Sequence, residues 1–337
     1  MHAAQTTLVL LSLTMSAIAG NGSEGSKDAD SAAVRDAISK ALPYLAKDGR
    51  SWMDGKVEMQ DNKKCVSCHY VAFGAWSHDA ASRAGLDFDV TAHAKLNLDA
   101  LDFISDPKIG RLVTYSHMLL ANTKPKPDVA AKLKTLAMRI PRLQEKAGFW
   151  MAKGQFPSQK RKITESNAVA TMWALAATRR YAKDPVIAPS RARGLQWLKK
   201  SKPGVSTEWD AWRLVTSHNE SLDDLQQRRD TLLARQNTDG GWAWLKNQPS
   251  DAYTTGQVLY ALQQTGLDTN QEAVARGTAW LLKTQESDGT WTVSSELTSA
   301  EPDENKDQIY SYWGTAWSVI ALANLHPAGQ PVAKASR

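Results

Sequence analysis

From Ala32 onward, apolar residues recur at i, i+3, i+4 and i+7 over stretches of roughly 12–20 residues, and strand-type alternation is missing. The pattern predicts helices throughout, in two kinds. Amphipathic helices of an outer type are expected over 32–47, 90–104, 129–146, 188–201, 222–236 and 271–285. Helices of an inner type, rich in small and aromatic residues, are expected over 66–84, 110–122, 165–181, 207–218, 251–264 and 310–325. Alternation of the two gives six hairpins. Stacked hairpins bury a face on each neighbour, and six can close into a ring without exposed ends. The expected fold class is therefore all-α, an (α/α)6 toroid over residues 32–326.

A repeat supports this organisation. Gln285-Glu286-Ser287-Asp288-Gly289-Thr290-Trp291 matches Gln236-Asn237-Thr238-Asp239-Gly240-Gly241-Trp242, and Gln144 to Trp150 fits the same Q-x-x-x-G-x-W frame. Upstream of the last copy stands Arg276-Gly277-Thr278-Ala279-Trp280-Leu281, with a parallel in Arg193-Gly194-Leu195-Gln196-Trp197-Leu198. A glutamine at a helix end can hydrogen-bond free carbonyls, and a glycine accepts the left-handed turn that ends the helix. The tryptophan is then expected to pack on the adjoining unit.

The run at 276–291 resembles the QW motif of squalene-hopene and oxidosqualene cyclases, and the resemblance extends over the helix pairs of residues 32–325. It implies the toroid that those cyclases share with protein prenyltransferase β subunits and thioester-containing complement domains. The chain also resembles exported bacterial proteins that combine squalene-cyclase-type repeats with an N-terminal C-x-x-C-H. The chemistries of these relatives fail on residues. Alkene protonation needs an acid from a D-x-D-D cluster, and the sequence has none. Asp223-Asp224 fall on an outer helix, Asp87-Phe88-Asp89 in a turn, and Glu208 and Asp210 are the remaining candidate acids near an inner helix. Asp307-Gln308-Ile309-Tyr310 resembles the prenyltransferase D-x-C-Y stretch, with Ile309 where the zinc-binding cysteine would stand. A thioester C-G-E-Q run is absent.

The composition is that of a globular protein, 42% hydrophobic and 23% charged in 337 residues. The net charge of +6 is scattered, which argues against a nucleic-acid-binding stripe. Residues 1–19 read as a signal peptide: an uncharged apolar stretch from Leu8 ends in Ala17-Ile18-Ala19. The stretch is too short to span a bilayer, and nothing later is long enough. Residues 20–31, rich in Gly, Ser and Asp, are expected to be a flexible leader, and residues 327–337 a disordered tail. The expected location is the periplasm or cell envelope.

Export bears on Cys65-Val66-Ser67-Cys68-His69, which holds both cysteines of the chain. C-x-x-C-H is the attachment signature of c-type haem, with two thioether bonds to the porphyrin and the histidine as an axial ligand of iron. A Cys65–Cys68 disulfide and a metal site using Cys65, Cys68 and His69 are the competing readings. The motif opens the first inner helix, at the toroid mouth where the Q-G-W turns lie. Met53 and Met59 are candidate second axial ligands, with His93, His117 and Met118 further possibilities, and a five-coordinate iron is also open. Tyr253, Trp173, Tyr310, Tyr312, Trp313 and Trp317 lie on inner helices and would suit an apolar or isoprenoid guest. The leading expectation is an exported toroid with covalent haem c, transferring electrons with a partner protein or performing redox chemistry near an apolar cavity. The alternatives are a terpenoid-cyclase-like enzyme acting on a polyprenyl or triterpenoid substrate, and an envelope binding module with a simple disulfide.

Overall fold

A computed structural model describes residues 22–54, 70–106, 111–153, 159–218, 220–266 and 271–325. Among the described residues there are twelve α-helices and no strand. The outer set is α1 (Gly22–Met53), α3 (Val90–Ile104), α5 (Pro127–Ala137), α7 (Ile187–Lys200), α9 (Leu222–Leu233) and α11 (Glu272–Thr284). The inner set is α2 (Ala72–Arg83), α4 (Leu112–Ala121), α6 (Ile163–Ala177), α8 (Thr207–Val215), α10 (Ala252–Gln264) and α12 (Glu304–Leu325). Each inner helix packs on the next, and α12 touches both α10 and α2, which closes the ring. The six hairpins expected from the periodicity are all present.

Burial separates the two layers as their sequences require. Every residue from Ala252 to Leu262 of α10 is buried, whereas α11 buries a single stripe of Val274, Gly277 and Leu281. Some boundaries differ from expectation. The third outer helix stops at Ala137 and resumes as a short 3₁₀ turn, Ile140–Leu143, because Pro141 has no amide hydrogen to continue the ladder. The helix α1 reaches back to Gly22, across the segment expected as a flexible leader. The helix α12 starts at Glu304, a turn and a half before Tyr310.

The three Q-x-x-x-G-x-W turns are built alike. Gln144, Gln236 and Gln285 each donate from Nε2 to the carbonyl of their own glycine, at 2.7, 2.7 and 3.0 Å. The same nitrogens donate to Ser190, Ala273 and Ala37 carbonyls, each at 2.8 Å. The glutamine therefore ties its turn to the next outer helix. Gly148, Gly240 and Gly289 have φ of 102°, 97° and 87°, a region that disfavours side chains. The indole Nε1 of Trp150, Trp242 and Trp291 donates back to Ile140, Leu232 and Leu281 carbonyls at 2.8–2.9 Å. Their backbone amides donate to Thr171, Thr255 and Thr315 hydroxyls on the following inner helix. Gln285 reaching Ala37 makes the third staple the seam between the last and first hairpins.

All inner helices run the same way, so their negative dipole ends gather at one face. Arginines cap that face. Arg35 donates to Ala84 and Gly85 carbonyls after α2, at 3.0 and 2.9 Å. Arg180 bonds Leu119 and Asn122 at the end of α4, Arg191 bonds Leu175 at the end of α6, and Arg229 bonds Thr265 after α10.

Candidate functional site

The axis of the ring is occupied by aromatic side chains from the inner helices. Trp173 of α6 lies 3.7 Å from Trp212 of α8, ring centre to ring centre, and 6.1 Å from Trp317 of α12. Trp76 of α2 is 5.0 Å from Trp317 and 5.4 Å from Tyr260 of α10. His117 of α4 packs between Phe73 and Trp173, at 4.5 and 4.3 Å. Six helices thus contribute to one buried cluster, in mostly tilted or edge-to-face pairs, the arrangement that ring quadrupoles favour.

Above it, towards the inner-helix N-termini, lies a polar layer. Arg161, ahead of α6, forms a fully buried ion pair with Glu208 in the first turn of α8, at 2.6 Å. Arg161 also bonds Ser166 at 3.1 Å and Ser206 at 3.4 Å, and its guanidinium lies 5.1 Å from the Trp244 ring centre. The Tyr253 hydroxyl donates to Glu208 at 3.3 Å. Glu165 accepts from the Val205 and Ser206 amides and the Ser206 hydroxyl, at 2.6–3.0 Å. Burial pushes the Glu208 carboxyl upward, while Arg161 and Tyr253 pull it down. Burial also raises Asp251, the N-cap of α10, to about 6, against two hydrogen bonds from Thr254.

This arrangement decides the fate of the candidate acids. Glu208 is held by a cation and Asp210 by Arg235 at 2.5 Å. Asp223 and Asp224 sit in the exposed first turn of α9, and Asp89 caps α3. None of them belongs to the aromatic cluster. Asp307 accepts from the Ser295 amide at 2.5 Å, and Ile309 is core.

Five of the six expected bore aromatics line this region. Tyr253, Tyr310 and Trp313 belong to the upper layer, while Trp173 and Trp317 are central. Tyr312 is a correction. It faces α1, where it meets Tyr44 and Tyr70 and donates to the Leu45 carbonyl at 3.1 Å, because it lies about 100° from its neighbours on α12. Phe73, Trp76, Trp212 and Tyr260 were not singled out by sequence, and His117 only as a possible axial ligand. Their signal was their presence on the same inner helices.

Cys65, Cys68, His69 and Met59 lie outside the described residues. The chain re-enters at Tyr70, whose buried ring stacks on Trp52 at 4.2 Å and meets Tyr312 at 4.4 Å. Met53 ends α1, packed against the core. His93 stacks on His78 at 4.6 Å, two turns along α2 from Tyr70, and Met118 is core. Among the described residues no group of three His, Cys, Asp or Glu is placed to hold a metal. No described helix is long and apolar enough to cross a membrane.

Residues 213–335 match the squalene-hopene cyclase C-terminal domain. The likeness in architecture is wider. A variant of the type II terpene cyclase MstE from Scytonema, in complex with merosterolic acid A (product), matches with a TM-score of 0.55 at 14% identity, over 88% of this chain and 98% of that one. A possible GH105 family member from Salmonella enterica serovar Paratyphi A matches at 0.57 and 11%, over 86% and 93%. A glycosyl hydrolase family 88 protein from Bacteroides vulgatus matches at 0.51 and 12%, over 84% and 97%. What is shared is the fold. No curated protein sequence matches the chain. The terpenoid-cyclase-like toroid is thereby supported, and the identities leave the chemistry to the residues.

Proposed function

We propose that this chain is a terpenoid-cyclase-like toroid that takes an apolar, isoprenoid-class guest against its inner aromatic helices, without protonating it as a cyclase would. The observation that carries the reading is the cluster of Phe73, Trp76, Trp173, Trp212, Tyr260 and Trp317, drawn from five helices onto one axis. Large aromatic faces in a buried interior suit isoprene units by area and by dispersion. The ion pairing of Glu208 with Arg161 and of Asp210 with Arg235 supports binding or redox conversion in place of cyclisation. Because the rings touch one another, the guest enters by parting them. Titration calorimetry with squalene and geranylgeraniol tests this, together with product analysis by mass spectrometry. Binding of either without a cyclised product is expected. Cyclised product would restore the cyclase mechanism, and no binding would end the guest reading.

A second reading concerns Cys65, Cys68 and His69. The donor set, two thiols and an imidazole in C-x-x-C-H, fits covalent haem c, with His69 as an axial ligand of iron and Met53 or Met59 as candidate second ligands. Bound there, haem would supply one-electron chemistry to a redox partner protein. The motif is followed directly by Tyr70, whose ring stacks on Trp52 at 4.2 Å. Such a protein is exported to the envelope, where haem c is attached. Expression in a host that exports and matures cytochromes should give a reduced α band that survives denaturation and disappears in Cys68→Ala. A colourless product would leave the disulfide reading.

A further inference from the structure

The described tryptophans differ in what their N–H does. Those of the three repeat turns all donate to carbonyls, Trp280 donates to Asp239 at 3.0 Å, and Trp212 donates to Gln257 Oε1 at 2.9 Å. Trp173 and Trp317, 98% and fully buried, have no acceptor for Nε1 among the described residues. The bond from Trp212 fixes the Gln257 amide with its oxygen towards the indole, so the unpartnered Nε2 is a donor as well. These three groups belong to rings and side chains in direct contact on α6, α8, α10 and α12. Nearer the mouth, Trp209 and Trp244 repeat the pattern. An indole N–H can only donate, and native interiors leave few such groups unpaired.

We infer that the guest of the aromatic cluster is an apolar molecule carrying acceptor-only oxygen, of the ketone or quinone class, received by the N–H groups of Trp173, Trp317 and Gln257. The inference rests on the proposed binding of an isoprenoid-class guest and narrows its chemistry. A pure hydrocarbon would leave all three donors unpaired. An alcohol or quinol would bring donors of its own into a set that already has them in excess. A carbonyl oxygen offers two lone pairs and asks for nothing in return, so discrimination should follow the rule that a site built to hydrogen-bond rejects the analogue lacking the group.

The test is calorimetric binding of menaquinone, menaquinol and squalene to the full chain, in its native form and as Trp173→Phe and Trp317→Phe. These substitutions delete the donor and keep an aromatic ring. Menaquinone is expected to bind at least about tenfold more tightly than squalene. Each variant should lose roughly that factor for menaquinone and keep its affinity for squalene, which also shows that it is folded. Equal binding of menaquinone and squalene, or equal weakening of both in the variants, overturns the donor inference while the isoprenoid reading stands. Failure of all three probes to bind overturns both.

Discussion

Replacing Arg161 by methionine tests the polar layer above the aromatic cluster. The substitution keeps most of the side-chain volume and strips a cation from Glu208, whose carboxylate is inaccessible to solvent and 2.6 Å from the guanidinium. Breaking such a pair by removing one partner costs about 3–5 kcal/mol, because the remaining charge is left uncompensated. At about 2.1 cal/mol/K per residue, unfolding roughly 300 ordered residues carries about 0.6 kcal/mol/K, so the melting temperature should fall by roughly 5–8 °C at pH 7. The loss should also depend on pH. Without Arg161 the carboxyl keeps the upward push of burial and loses what pulled it down, so its folded-state pKa lies above the unfolded value of about 4.3. Stability linked to its proton is then present below the unfolded value and lost as pH rises through the folded pKa. The deficit should therefore shrink as pH is lowered from 7 towards 4. Glu208→Leu added to Arg161→Met should recover part of the loss at pH 7, since no buried charge then remains. Urea titrations of the native protein, the single variant and the double variant at several pH values measure all three. A single variant within about 1 kcal/mol of the native protein, or a deficit independent of pH, would refute the argument.

Other expectations follow from geometry already described. Gln285→Ala removes the Nε2 donor to Ala37 and Gly289, two bonds that should cost about 1–2 kcal/mol by urea unfolding, with Gln236→Ala a similar loss at an internal seam. Gly256→Ala places a Cβ 2.6 Å from the Trp317 backbone carbon, so α10 and α12 must separate; a loss of about 1–3 kcal/mol should appear with a change in near-UV circular dichroism. Burial and the neighbouring His78 hold His93 down at about 3, below its unfolded value, so the stability it gives is present above about pH 6.5 and lost as pH falls. His93→Gln should flatten the stability profile between pH 6.5 and 4, and an unchanged slope would contradict that account.

The architecture was legible because period and punctuation agree. Gly289 and Trp291 mark the same turn as Gly240 and Trp242, and the two turns share the same glutamine staple bond. Boundaries were less legible where a proline competes with periodicity, as at Pro141. The site was only partly readable. Trp173 and Trp317 could be assigned to inner helices, yet which aromatic turns inward depends on helix phase, and Tyr312 shows how 100° of rotation changes a role. The pairing of Arg161 with Glu208 joins residues 47 positions apart through a loop, and no local pattern encodes it.

The seam between first and last hairpins has a consequence for how the molecule comes into being. Contacts from Gln285 to Ala37, Tyr312 to Leu45 and Arg83 to Asn324 span 248, 267 and 241 positions. They cannot form until nearly the whole polypeptide is available, which favours slow, late commitment. A chain stopped short of α12 would be an open crescent with bare aromatic edges on α2 and α10, prone to aggregate and unable to settle as a smaller version of itself.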